Sequence, residues 1–229
     1  DVTALKRVDD EFELTIDGQP VRTKTVLLAT GSNHRKLDVP GEDELYGRGV
    51  HYCATCDGAF YKGKRLVVIG GGNSGLQEAM FLTRFAEHID LLVRSTIKAS
   101  EILQTDLQPF IERGQISVHL HTESTEIIAE DGKVTGVAAI SNGQPTTFAC
   151  DGVFVFVGLK PNTGFLQGTP VQLDERGLII TNEHLETTMP GVFASGDVRS
   201  GATMQIATAV GEGATAALSI REYIQQHKA

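Results

Sequence analysis

The 229 residues carry 20 Lys and Arg against 29 Asp and Glu, a formal net charge of −9, with 41% hydrophobic and 21% charged residues and a mean hydropathy of −0.07. This composition excludes a disordered or collagen-like chain, and no apolar run approaches the roughly 18 residues that cross a bilayer, so one large or two small globular domains are expected. The acidic balance, with no cluster of cations, has the wrong sign for a phosphate-backbone binder, so neither nucleic acid nor a membrane is an expected partner.

Three cysteines, with Cys53 and Cys56 close together and Cys150 alone, are too few for a secreted disulfide framework and point to a cytoplasmic redox or metal role. The 25 glycines, about 11% against a usual 7%, suggest tight turns and close backbone approach to ligands. The chain opens on Asp1 and runs directly into strand-like sequence, as expected of a piece of a longer protein.

Phe12, Leu14 and Ile16 alternate with polar residues up to Asp17-Gly18, and a second segment starts at Val21, which predicts a hairpin. Thr25–Thr30 is read as a strand buried on both faces and ending at Gly31. The turn-rich stretch 36–41 predicts a domain boundary. Arg65–Ile69 predicts a buried strand, followed by a helix to about Phe85 with Leu76, Ala79, Met80 and Thr83 on one face, then a strand over Ile89–Val93. Residues 116–157 are read as a β-meander with turns at Asp131-Gly132 and Asn142-Gly143, closed by Val153–Val157. A second boundary is expected near Gly158–Pro161, then strands at Leu178–Ile180 and Val192–Ala194, and a long Ala-rich helix from about Gln205 to Gln225.

Gly70, Gly72 and Gly75 form G-x-G-x-x-G between a predicted strand and helix of a βαβ unit, the context a dinucleotide fingerprint needs. Their roles would be the turn, close approach to a pyrophosphate, and close helix packing, with the anion on the helix N-terminus, where Asn73 and Ser74 lie. At the end of the second strand a carboxylate suits NAD, and a basic residue meets the 2′-phosphate of NADP. Here Arg94, Ser95 and then Lys98 follow without a carboxylate, which favours NADPH, although Arg94 also fits a solvated surface charge.

Cys53-Ala54-Thr55-Cys56-Asp57 precedes this unit. Two cysteines at that spacing can close a small disulfide ring, and the adjacent carboxyl can move the proton that thiolate chemistry requires. Zinc is the second reading and inert buried thiols the third; a zinc site would want four ligands, whereas Cys150, His51 and the His119/His121 pair offer no second close pair. No metal is therefore expected. Cys150, at the entrance to a buried strand, reads as a small core residue.

CATCDG at Cys53–Gly58, VVIGGGNSGLQEA at Val67–Ala79, GVFASGDV at Gly191–Val198 and Leu28-Ala29-Thr30-Gly31 together resemble the low-molecular-weight thioredoxin reductases, in order and along essentially the whole chain. The resemblance implies an α/β fold of two Rossmann-like, three-layer dinucleotide-binding domains with a β-meander. Residues 1–37 and 160–229 would be parts of an incomplete FAD domain, and 38–159 an NADPH domain. It implies a thioredoxin-disulfide reductase passing a hydride from NADPH to FAD, then electrons to a Cys53–Cys56 disulfide and on to a thioredoxin-like protein, in a cytoplasmic homodimer. Cys56 would face the flavin, Cys53 would attack the substrate disulfide, and Asp57 would carry the proton. Thr30, Gly31, Gly196 and Asp197 would lie on the flavin, with Asp197 on its ribityl chain and Gln205 at the isoalloxazine edge.

The chain departs from the family pattern in four ways. It lacks the opening flavin-binding glycine motif. Ser95 and Ala99 stand where further arginines are usual, Met204 stands where an arginine is usual, and Gly75 replaces a frequent alanine, read here as harmless to packing. Two rival readings remain: the NADH-preferring flavoprotein of an alkyl hydroperoxide reductase, and a nicotinamide-binding module without turnover.

Overall fold

A computed structural model describes residues 1–227. The chain divides into two compact units, one of Asp1–Asn33 with the stretch from Leu159 onward, the other of His34–Gly158. In the first, β1 (Val2–Val8), β2 (Glu11–Ile16) and β3 (Gln19–Thr23) form an antiparallel sheet in that order. The β2–β3 turn is Asp17-Gly18 with φ of +48° and +78°. Both central residues are left-handed, the geometry that matches the twist of a two-residue hairpin. The predicted strand at Thr25–Thr30 is only β4 (Val26–Leu28), and its Leu27 is 38% exposed. Burial on both faces therefore fails there, because β4 is a three-residue strand with one paired neighbour. β5 (Ser32–His34) follows.

The second unit is built on a five-stranded parallel sheet. Its elements are β6 (Val50–His51), α1 (Ala54–Asp57), β7 (Arg65–Ile69), α2 (Asn73–Leu82), β8 (His88–Leu92), α3 (Glu101–Glu112), β9 (Ile116–His119), β10 (Thr122–Glu130), β11 (Lys133–Ser141), β12 (Gln144–Ala149) and β13 (Gly152–Val155). The sheet order is β6-β13-β7-β8-β9, and β10-β11-β12 form a separate antiparallel sheet. Alternate side chains divide the core. Val67, Ile69, Leu92, Val153 and Val155 pack with Ile127, Val137 and Phe148 of the meander. On the other face Leu66, Val68, Ile89, Leu91 and Phe154 pack with Leu76, Ala79 and Leu82 of α2 and Leu107 of α3. Meander, parallel sheet and helices make three layers, the Rossmann-like arrangement expected.

The meander is narrower than the sequence suggested. Only β10–β12 belong to it, turning at Asp131-Gly132 and Asn142-Gly143, all four with positive φ. Ile116–His119 is instead the edge strand of the parallel sheet, brought there by the crossover helix α3, which the sequence reading did not identify. β13 does not close the meander; it inserts between β6 and β7. The helix after the glycine loop stops at Leu82, three residues short of Phe85.

Back in the first unit lie β14 (Leu159–Pro161), β15 (Val192–Ala194) and α4 (Ile206–Gln226). β15 pairs in parallel with β4, and β14 pairs with β5. The core here is Leu5, Phe12, Val26, Leu28, Leu166, Ile179, Met189 and Val192 with Ala194 and Val198. Leu178–Ile180 forms no strand: Ile179 makes single bridges to Leu173 and Arg199 within turn-rich sequence. Gln205 is the N-cap of α4 rather than its first residue.

Candidate active site

The parallel strand β6 delivers the chain to Cys53, whose extended backbone (φ −138°, ψ 106°) caps the single turn of α1. That turn sets the two cysteine Cα atoms 5.3 Å apart, and the sulfurs are joined as a disulfide, a separation within the ordinary range for such bonds. The bond leaves neither sulfur as a thiolate ligand for zinc, so the redox reading of the pair holds. The Cys56 amide donates to Cys53 Sγ at 3.2 Å, and Thr55 Oγ1 lies 3.4 Å from the same sulfur. Cys53 is half-buried and Cys56 exposed. Cys150 is a free, buried thiol of the core, and burial pushes its pKa up to about 12, far from the range of a reactive thiolate.

Asp57 closes α1 with one carboxyl oxygen, Oδ2, 3.1 Å from His51 Nδ1. The other ring nitrogen, His51 Nε2, is 2.7 Å from the Tyr61 hydroxyl. In the sequence His51 stands out only as a metal ligand without partners, and Tyr61 not at all, since a strand residue, a helix residue and the last residue of a 3-10 turn at spacings of six and four share no periodicity.

The glycine loop leaves β7 through Gly70 at φ +141°, where a Cβ would meet the Phe156 carbonyl oxygen at 2.3 Å. A Cβ on Gly75 would meet the Gly70 carbonyl oxygen at 2.1 Å. Backbone cannot yield as a side chain does, so glycine is required at position 75, in keeping with the expectation that glycine in place of alanine does no harm to packing there. Gly72, the N-cap of α2, has nothing within 4 Å of its Cβ position, leaving room for a ligand against the first turn of a ten-residue helix. Ser74 is exposed there. Asn73 serves the loop's own structure, because its Oδ1 accepts the Ser100 amide at 2.9 Å. The Lys98 amide donates to the Gly71 carbonyl at 2.7 Å. These two bonds bring the segment bearing Arg94 and Lys98 onto the glycine loop. Both cationic side chains are exposed and, among the described residues, make no ion pair. Glycine cradle, helix N-terminus and exposed cations fit the phosphates of a dinucleotide.

In the first unit Thr30 and Gly31 are held by Asn162. Thr30 Oγ1 donates to the Asn162 carbonyl and Asn162 Nδ2 to the Thr30 carbonyl, both at 2.9 Å, while the Asn162 amide donates to the Gly31 carbonyl at 3.0 Å. Gly196, at φ +72°, donates its amide to Glu212 Oε2 at 2.7 Å. Glu212 also pairs with Arg199, which holds its carboxyl below the usual range. Asp197 accepts the Ser32 hydroxyl on its backbone carbonyl, at 2.5 Å. Its side-chain Oδ1 is buried and, among the described residues, has no hydrogen-bond partner, an uncommon state that calls for an absent donor. A hydroxyl-bearing ligand such as a flavin ribityl chain fits that oxygen. Gln205 is exposed at the start of α4. Asn162, Glu212 and Arg199 escaped the sequence reading because they act through partners 13 to 132 residues away.

The family model described as pyridine nucleotide-disulphide oxidoreductase matches residues 1–213. A thioredoxin reductase of Listeria innocua is 39% identical over 230 residues, covering 98% of this chain and 71% of the relative. An alkyl hydroperoxide reductase component of Staphylococcus aureus is 38% identical, but the chain covers only 44% of it. The crystal structure of a thioredoxin reductase from Streptococcus pyogenes superposes with a TM-score of 0.90 at 37% identity, over 99% of this chain and 74% of that one. With a bonded cysteine pair and a strand–glycine loop–helix in one unit, the chain belongs to the pyridine nucleotide-disulphide oxidoreductases and, among them, to the thioredoxin reductases.

Proposed function

We propose that the chain serves NADPH-dependent, FAD-linked reduction of a thioredoxin disulfide. Residues 34–158 would bind NADPH and present the redox pair, and the unit of 1–33 with 159 onward would hold the flavin. The observation that carries this reading is the Cys53–Cys56 disulfide, one residue from the Asp57 carboxyl and in the same unit as the glycine loop.

The net change is two electrons and two protons: NADPH, a proton and a substrate disulfide become NADP⁺ and a dithiol. A bound flavin supplies the relay of the electron pair between the nicotinamide and the protein disulfide. This chain's residues do the rest. Arg94 and Lys98 meet the 2′-phosphate, and the α2 N-terminus meets the pyrophosphate. Opening of the Cys53–Cys56 bond by that electron pair, which Cys56 would receive, would free Cys53. The Cys53 thiolate attacks one substrate sulfur, an intermolecular disulfide forms, and Asp57 gives its proton to the departing sulfur. Cys56 then attacks Cys53, re-forming the internal disulfide and releasing the reduced substrate. The family likeness extends the proposal to a homodimer acting in the cytoplasm.

The alkyl hydroperoxide reductase relative, nearly as similar in identity, favours a second reading in which NADH is the donor. One experiment separates the readings: the purified chain is scanned for a flavin absorbance band, then mixed with NADPH or NADH and oxidised thioredoxin while nicotinamide oxidation and new thiols are counted. One thioredoxin dithiol per NADPH supports the proposal. A bare protein spectrum without thiols reduces the chain to a nicotinamide-binding module, and preference for NADH moves it to the second reading.

A further inference from the structure

We propose that His51 is a positioning residue for Asp57: braced by Tyr61, it holds one carboxyl oxygen so that the other exchanges protons with the cysteine pair. This rests on the reading of Asp57 as the proton carrier. It adds two residues, His51 and Tyr61, to a motif otherwise confined to Cys53–Asp57.

The geometry is that of a braced chain. His51 sits on β6, paired in register with Phe154 of the central strand β13, whereas Asp57 stands at the end of a four-residue helix. The His51 side chain is only 8% exposed, with Phe154 at 5.1 Å and Tyr61 at 5.4 Å between ring centroids. Tyr61 is itself wedged: it packs on Phe154 at 5.6 Å, and a Cβ on Gly152 would meet its ring at 2.4 Å. A rigid sheet residue therefore fixes a carboxyl on a short, exposed turn.

Proton placement follows from the contacts. Tyr61 stays a phenol, since burial and then Asp57 push its pKa up to about 12, so its hydroxyl is available to donate to His51 Nε2. Nδ1 then carries the ring proton and donates to Asp57 Oδ2. Among the described residues Asp57 Oδ1 accepts nothing, and it is left for the sulfurs' proton. The groups facing His51 are Asp57 and Tyr61, with Cys150 and Asp151 beyond Tyr61. Burial lowers the His51 pKa and outweighs the Asp57 charge, which raises it. At neutral pH the ring is accordingly uncharged and orients Asp57 through the Nδ1–H hydrogen bond. As pH falls through the lowered His51 pKa, an imidazolium forms beside the Asp57 carboxyl.

The test uses the dithiol form of the whole chain. Its cysteines are alkylated with iodoacetamide across pH, and thioredoxin turnover is followed in parallel with the flavin-loaded protein. His51→Ala should shift the apparent pKa of the alkylation profile by about half a unit to one unit. It should lower kcat about tenfold, with KM for thioredoxin within about twofold. His51→Asn places an amide N–H where Nδ1–H stood and should restore both, whereas His51→Gln places it near Nε2 and should not. Because Asn and Gln are both buried amides, this pair decides the matter even if the alanine variant folds poorly. An unchanged profile and kcat in His51→Gln, or Asn behaving like Gln, overturns the proposal. Asp57→Asn is the separate arm: if it changes neither the profile nor kcat, the role of Asp57 itself is wrong; if it acts while the His51 variants do not, only the His51 proposal falls.

Discussion

The Cβ that Gly75 lacks would lie 2.1 Å from the carbonyl oxygen of Gly70, so the first turn of α2 rests on the end of the strand that precedes it. This contact sets how near the helix N-terminus stands to the loop that would receive a pyrophosphate. Gly70, at φ +141° and pressed on the Phe156 backbone, has no freedom to retreat.

Gly75→Ala should therefore cost about 1–3 kcal/mol of stability, the usual range for overpacking a tight site, and should weaken NADPH and NADH alike. Gly72→Ala, whose Cβ points into open space, should fold normally yet weaken both cofactors by occupying ligand volume. Thermal melts with nucleotide titrations check both. A Gly75→Ala protein as stable as the parent would show that the loop shifts freely.

Arg94→Ala should weaken NADPH about ten- to a hundredfold, the equivalent of about 1.5–3 kcal/mol for a lost charge-assisted bond, and leave NADH nearly unchanged. Arg94 and Lys98 are the exposed cations on the segment tied to Gly71 and Asn73, so Lys98→Ala should have the same selectivity and a smaller effect. Calorimetric titration of both cofactors measures it. Equal losses for NADH and NADPH would remove the 2′-phosphate assignment.

The two cysteines should differ in role. Cys53→Ser should abolish reduction of thioredoxin while leaving flavin reduction by NADPH intact, whereas Cys56→Ser should disconnect the pair from the flavin. Stopped-flow measurement of the two half-reactions separates them, and indistinguishable variants would refute the assignment. Intact mass before and after reductant should differ by two hydrogens for the parent chain.

Asp197→Ala should act with opposite signs on the two forms of the protein. Without flavin it removes a buried carboxylate oxygen that has no partner among the described residues and should leave stability unchanged or raise it by about 1 kcal/mol. With flavin offered, retention should drop. Melting temperature and the flavin content of the purified protein give the two readouts, and a variant that keeps full flavin content would show that the oxygen has no ligand to meet.

Much of the site was legible in the sequence because its signals are local. Asp17-Gly18, Asp131-Gly132 and Asn142-Gly143 each supply two residues that tolerate positive φ, and each became a two-residue hairpin turn. The strand, G-x-G-x-x-G loop and helix lie within 18 residues, from Arg65 to Leu82, and the cysteine spacing closes across one turn. Tertiary structure decided what depends on partners distant in sequence. Ile116–His119 became a parallel edge strand because α3 carries it back to β8; a four-residue alternation of apolar and polar residues does not encode its neighbour. Gly75 proved indispensable because of where the Gly70 backbone lies, and Leu27 was left exposed because only one strand pairs with β4. His51, Asp57 and Tyr61 meet because a sheet residue, a helix end and a wedged ring converge, an arrangement set by packing rather than by any periodicity along the chain.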